Sequence, residues 1–289
     1  MSFAQIVLQL AIGLSFGLLL FLLASGFTLT FGLAGFVNLT HGAVFMVSAY
    51  VATSFSGGGS FVLAVAAAGV TGIALSILVY AVSRLRWSKL ASDELSQVLL
   101  TFGLLLVFAE VARVLWEGVP RSLPEPGFVS GSWDVLGVSF PTYRAFMGAV
   151  ALLIAGALWW VQERTRFGAM VRAGVDDRDM LEATGVSAGP LFLAVFAISG
   201  LLAGLAGGIG APVMGASMGQ EFSVLVLAFV VVVLGGTGNL KGAFIASLAV
   251  GLADAFGKAL LPTFAEFTMM GLVVVVLAWR PQGIFGGVR

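Results

Sequence analysis

Apolar residues run along this chain in long, nearly unbroken stretches rather than at the spacing of a half-buried surface helix. A helix needs about 20 such residues to cross the ~30 Å hydrocarbon core of a bilayer. Stretches of this kind fall at 6–29, 33–55, 61–83, 95–116, 144–162, 190–212, 222–236, 242–260 and 265–280. Turn-forming runs such as Ser56-Gly57-Gly58-Gly59-Ser60 separate some of them. The stretch at 222–236 is short, and the one at 33–55 is interrupted by Gly35, Asn38, His41 and Gly42. Both are candidates for re-entrant or broken segments. The pattern predicts an all-α polytopic membrane protein of about nine transmembrane spans. Eight spans, with one segment re-entrant, is the alternative.

Composition narrows the function classes. Of 289 residues, 60% are apolar, 39 more are Gly, and only 10% are charged, where about 25% is usual for a soluble domain. So few charges cannot clothe a soluble surface. A soluble enzyme, a secreted disulfide scaffold and a disordered protein are excluded, and with zero net charge there is no basic face for nucleic acid. There is no cysteine, and the single His41 cannot build a multi-histidine metal site. No cofactor is therefore expected. Residues 1–289 are expected to form one transmembrane domain in contact with lipid. The first charge is Arg84, so the N-terminus lacks the basic region of a cleaved signal peptide.

The charges set an orientation. With nine spans, Arg84, Arg86, Lys89, Arg164, Arg166, Arg172, Arg178, Lys241, Arg280 and Arg289 all fall on one side. Arg113, Arg121, Arg144 and Lys258 fall on the other. The positive-inside rule then predicts a periplasmic N-terminus and a cytoplasmic C-terminus. The outer loop 117–143, with Pro120, Pro124, Pro126, Pro141, Trp133 and Tyr143, is expected to be an ordered cap on the outer surface.

One segment has more charge than topology demands. Residues 163–189 read ERTRFGAMVRAGVDDRDMLEATGVSAG, with nine charges of both signs in the first twenty positions. Asp177 is placed to N-cap a short helix through Glu182 and Thr184. Gly185 suits the left-handed position after it, with Val186 as the apolar contact. The expectation is one or two short amphipathic helices at the cytoplasmic surface, with a rigid charged face for a partner. A solvated loop is the plainer reading.

Here the chain resembles a known family, the LivH-like permeases of ABC importers for branched-chain amino acids. The matching residues in this segment are Arg166-Phe167-Gly168, Arg172-Ala173, Asp177 and Gly185-Val186, with Leu181 where the family often has Ala. Gly35-Phe36-Val37-Asn38-Leu39-Thr40-His41-Gly42-Ala43, followed by Tyr50, is similar to the family's Asn-Leu-x-His-Gly signature. Val233-Leu234-Gly235-Gly236-Thr237-Gly238-Asn239-Leu240-Lys241-Gly242-Ala243 resembles its Gly-rich loop, and Arg280-Pro281-Gln282-Gly283-Ile284-Phe285-Gly286 its C-terminal ending. The resemblance implies a permease in a bacterial inner membrane. Its implied partners are a second homologous permease, two ABC ATPase subunits and a periplasmic substrate-binding protein. It also implies that Arg166, Arg172, Asp176, Asp177, Arg178, Asp179, Glu182 and Gly185 form the ATPase-coupling surface. Branched-chain amino acids are the implied cargo, with urea, amides or aromatic acids as alternatives.

Independently of the family, the chain has no G-x-x-x-x-G-K-[ST] phosphate loop; Gly257-Lys258-Ala259 lacks both the hydroxyl and the upstream Gly. ATP chemistry must then sit on another chain, and this one is not itself an enzyme. A proton-driven transporter would need a titratable carboxylate at mid-membrane. A passive channel would need a selectivity sequence, and none is evident.

The remaining candidates are polar groups in apolar surroundings. Asn38, Thr40 and His41 must face protein or a water-filled path. They either line a broken helix on the translocation route, together with Asn239, or form a capped helix start with His41 bonded to a carbonyl. The recurrence of G-x-x-N-L at Gly35–Leu39 and Gly236–Leu240 reads as a trace of duplication or as two similar turns. Gly200 and Gly204 form a small-xxx-small face, used within the chain or against a second permease. Glu110/Arg113 and Asp254/Lys258 have helical pair spacing. Glu221 at a helix start reads as structural.

Overall fold

A computed structural model describes residues 3–35, 37–56, 60–84, 94–135, 137–260 and 262–264, with residues 271, 274, 275 and 278 beyond them. The apolar runs form α1 (Phe3–Ala34), α2 (Thr40–Thr53), α3 (Phe61–Arg84), α4 (Glu94–Trp116), α5 (Thr142–Arg164), α8 (Ala188–Met214), α9 (Gln220–Gly235) and α10 (Leu240–Leu260). Two short helices, α6 (Arg166–Asp176) and α7 (Arg178–Ala183), join α5 to α8. Six helices among the described residues, α1, α3, α4, α5, α8 and α10, are long and apolar enough to cross a membrane. The stretch expected at 265–280 lies outside the described residues, apart from 271, 274, 275 and 278.

Two boundaries differ from the sequence expectation. The first stretch extends from 6–29 to the 32 residues of α1, because Thr28 and Thr30 return their hydroxyls to the carbonyls of Ala24 and Gly26 and so remain compatible with apolar surroundings. The second, expected from 33, begins as a helix only at Thr40. Gly35 (φ +75°) ends α1 in a left-handed conformation, and Val37–Leu39 are not helical.

α2 and α9 have 14 and 16 residues, about 21 and 24 Å at 1.5 Å per residue, and each is shorter than the hydrocarbon core. Every residue of α2 except Val51 is buried. A helix apolar all round belongs in a core, and α2 sits in one, packed on α8, α3, α4 and α9. α1 runs beside α10, α8 and α5, and α3 beside α8.

Between membrane helices there is no hydrophobic drive to associate, so close packing decides which faces meet. Gly200 and Gly204 of α8 lie directly on the backbone of α3 at Gly72 and Ala68. The glycine face of α8 is thus consumed within the chain. A second close seam joins α1 to α10: a Cβ on Gly17 would lie 2.8 Å from the Ser247 carbonyl oxygen, and one on Gly251 would lie 2.5 Å from that of Gly13.

The 117–143 loop departs from an all-helical fold. It contains a two-stranded antiparallel hairpin, β1 (Ser132–Val135) and β2 (Val138–Pro141), turning at Gly137 with φ +79°. Arg121 pairs backbone to backbone with Ala216, which ties this loop to the end of α8. The α6–α7 segment lies at the opposite end of α5.

The glycine seams yield a test. Gly200→Leu or Gly72→Leu should destabilise the detergent-solubilised protein by about 1–3 kcal/mol or prevent its accumulation. Gly103→Ala and Gly156→Ala, on helix faces with nothing within 4 Å, should leave the melting temperature within a few degrees of the parent. Similar losses at all four positions would contradict the packing described.

Candidate functional site

The α6–α7 unit is built by two caps. Thr165 is extended, and its hydroxyl accepts from the Gly168 N–H at 3.2 Å, starting α6. Asp177 ends α6 and starts α7, its carboxylate accepting from the Met180 N–H at 2.9 Å. Gly185 follows α7 with φ +88° and donates its N–H to the Glu182 carbonyl. The Asp177 and Gly185 signals were legible in sequence. The Thr165 cap was missed; the available signal was an N-cap residue type standing between the polar end of α5 and the next helical stretch.

This unit has two unlike faces. Gly168, Val171 and Gly174 of α6 and Leu181 of α7 are buried, the two larger side chains in a cluster with Leu29, Leu33, Leu158 and Leu191. Gly168 rests on the backbone of Gln162 at the end of α5. Arg166, Arg172, Asp176, Asp177, Asp179 and Glu182 are exposed, and so is Met180. Arg178 opens α7, but its side chain lies outside the described part of the structure. Arg172 also donates Nη1 to the Gln162 carbonyl oxygen, satisfying one of the last carbonyls of α5. Its guanidinium therefore has a task within the chain besides any docking role.

A further, partly buried contact joins this unit to the transmembrane helices. A Cβ on Gly238 would meet Val175 Cγ1 at 2.9 Å, and one on Gly32 would meet Gly238 Cα at 2.7 Å and Val175 Cγ2 at 3.4 Å. The end of α1, the loop between α9 and α10, and α6 thus touch at one point. Nearby, Lys241 pairs with Glu163 at 3.5 Å and sits 5.5 Å from the Trp159 ring centre. Gly236 and Gly238 take φ of +89° and +75°, letting the loop turn tightly. Asn239 caps α10, accepting from the Gly242 N–H at 3.1 Å.

The α2 break carries the other polar candidates. Asn38 Oδ1 accepts from the Thr40 N–H at 3.2 Å and the Thr40 hydroxyl at 2.6 Å. Thr101 of α4 accepts the Leu39 N–H at 3.2 Å. His41 Nε2 lies 2.8 Å from the Leu23 carbonyl oxygen. A carbonyl only accepts, so Nε2 carries the proton, and in the neutral ring Nδ1 faces the Ser199 hydroxyl at 3.4 Å. Asn38, Thr40 and His41 are all buried. The structure brings these three together and gives Asn239 a separate place in the α9–α10 loop.

The depth of this break follows from its partner. Leu23 lies 11 residues before the end of α1, about 16 Å along the helix axis and about half of the ~30 Å core. α2 therefore starts deep beside α1. Gly42 in its first turn packs on the Glu221 carbonyl and on Leu225, so α9 begins at the same depth. The two G-x-x-N-L stretches both lead into a helix from a left-handed Gly, with different asparagine bonds, to Thr40 in one and to Gly242 in the other.

The two charge pairs read from spacing are formed. Arg113 Nε donates to Glu110 at 2.8 Å, and Lys258 to Asp254 at 2.7 Å. No group of three or more His, Cys, Asp or Glu residues suited to a metal occurs among the described residues.

The chain is similar to known proteins along most of its length. Residues 9–278 match the family model described as branched-chain amino acid transport system permease component. The high-affinity branched-chain amino acid transport system permease protein BraD of Pseudomonas aeruginosa is 28% identical over 299 residues, covering 96% of this chain and 95% of that one. LivH of Escherichia coli, of the same description, is 28% identical over 305 residues, covering 99% and 97%. LivM of Salmonella typhimurium is 28% identical over 298 residues, covering 91% of this chain and 67% of its own length. A solved ABC transporter of metal-chelate type, in an inward-facing conformation, shares the fold at a TM-score of 0.52 and 18% identity, covering 93% of this chain and 85% of that one. With the match running over residues 9–278, the chain belongs to the family of branched-chain amino acid transport system permease components.

Proposed function

We propose that this chain is a transmembrane permease subunit of an ATP-driven importer, with branched-chain amino acids as its cargo. Its relatives BraD and LivH are named for that transport, and they match it from end to end. As a permease component it is a transport subunit, with ATP hydrolysis on partner chains. A second permease completes the core, two ABC ATPases dock beneath, and a periplasmic binding protein delivers cargo. The similarity to both LivH and LivM supports a core made from two related chains. Six long helices, the short α2 and α9, and the 265–280 stretch give nine crossings. The basic residues put the N-terminus outside and the C-terminus in the cytoplasm.

The observation that carries the mechanism is the two-faced α6–α7 unit. Its exposed face of Arg166, Asp176, Asp177, Asp179, Met180 and Glu182 is the docking surface for the ATPases. Its inward side bears on Gly238 and Gly32 through the partly buried Val175. A push on α6 therefore reaches both the end of α1, beside the α2 break, and the loop between α9 and α10. Asn38, Thr40 and His41 line or brace the route that opens at the break, and Asn239 holds the α10 start that moves with it.

In proteoliposomes containing the full complex and its binding protein, the double reversal Asp176→Lys/Asp179→Lys should reduce leucine transport about tenfold or more while insertion and permease pairing stay normal, as expected for lost charge complementarity across an interface. Wild-type transport would refute the docking face. Arg172 is the weaker probe, because reversing it also strips a cap from α5.

Val175→Ala separates transmission from docking. It should leave ATPase binding to the permease unchanged and lower the number of leucine molecules moved per ATP. Unaltered stoichiometry would remove the Gly32–Val175–Gly238 contact from the mechanism. If the wild-type complex moved urea or a short amide in preference to leucine, the cargo assignment would change and the coupling scheme would remain.

A further inference from the structure

Glu221 stands apart from the other acidic residues on the apolar helices. Glu110 and Asp254 each have a basic partner one turn away, and at least one member of each pair is well exposed. Glu221 is 4% exposed, and its Oε2 has no hydrogen-bond partner among the described residues. It lies in the first turn of α9, with its backbone against Gly42, at the depth where α2 begins. The Tyr50 hydroxyl on the neighbouring helix is within electrostatic reach of this carboxylate and of the exposed Arg121.

Magnitudes make this position informative. An unpaired carboxylate away from water costs several kcal/mol. The N-terminal dipole of its own helix returns only part of it. In this conformation Glu221 is covered by its own chain, so no fixed partner on a second permease reaches it. A cation that arrives when the starts of α2 and α9 part, and then leaves, would supply the balance. A zwitterionic amino acid passing through an apolar core has the converse difficulty, since its ammonium needs a counter-charge once its water is removed.

We propose that Glu221 is a cargo-contacting residue, and that its carboxylate pairs transiently with the α-ammonium of the transported amino acid where α2 and α9 start. This rests on the reading of the chain as an amino acid permease. Gly42 fits the role: without a side chain it lets the first turn of α2 lie against Glu221, so the two polar helix starts share one small region inside the apolar bundle.

The test uses the complete reconstituted complex with leucine-loaded binding protein. Glu221→Gln keeps size and hydrogen-bonding capacity and removes the charge; it should cut leucine transport about tenfold or more, the scale of a lost buried charge pair. ATPase stimulation by the loaded binding protein should stay within about twofold of the wild type on the same scale. Glu221→Asp, which restores the charge on a shorter arm, should recover part of the transport. Glu221→Gln that transports as well as the wild type overturns the proposal. So does a loss of transport matched by an equal loss of ATPase stimulation, which marks Glu221 as structural. A wild-type complex that carries no amino acid refutes the functional reading, and this inference with it, before any variant is made.

Discussion

A backbone N–H or C=O inside a bilayer must find its partner in the protein, because there is no water to supply one. The structure is organised around one place where that requirement is hardest to meet. α2 begins beside Leu23, 11 residues before the end of the 32-residue α1, so its first N–H groups open inside the protein instead of at a surface. Asn38 satisfies Thr40, Thr101 satisfies Leu39, and His41 reaches across to a carbonyl of α1. Those bonds need α1, α4 and α8 to be in place around the break. The close glycine seams that hold α8 on α3 and α1 on α10 are what keep them there.

The same geometry gives the chain a route for movement. Long helices with side-chain seams transmit force poorly if each contact is soft, but backbone-on-backbone contacts cannot yield without separating. Gly32 and Gly238 meet backbone to backbone, and the short, stiff Val175 side chain of α6 bears on both. A displacement of α6 thus acts directly on two backbones. One belongs to the helix that precedes the α2 break, the other to the loop that starts α10. The exposed charges of α6 and α7 add little to the stability of the fold, since surface ion pairs contribute about 0–1 kcal/mol. Their value lies in what they offer to a docking chain.

The apolar bundle leaves few polar groups that are neither paired nor capped. Ser48 and the Glu221 carboxylate are the buried side chains of this kind among the described residues. A hydroxyl without a partner costs far less than a charge does. This difference is why Glu221, and not Ser48, points to a ligand.

Much of this was determined by sequence alone. The six long apolar helices, the membrane class, the Asp177 cap, the Gly185 turn and the Glu110–Arg113 and Asp254–Lys258 pairs all depend on residues within a few positions of each other, and composition and helical spacing report such local relations. The depth of the α2 break was not legible, because it depends on His41 meeting Leu23 of another helix. Nor was the choice of α3 as the partner of the Gly200–Gly204 face, since a glycine face fits any close backbone and only the assembled packing selects one. Glu221 looked structural in sequence because a helix N-terminus explains an acid there. Only the tertiary structure showed it to be buried with Oε2 short of a partner, since burial belongs to the whole fold and cannot be read from neighbours along the chain.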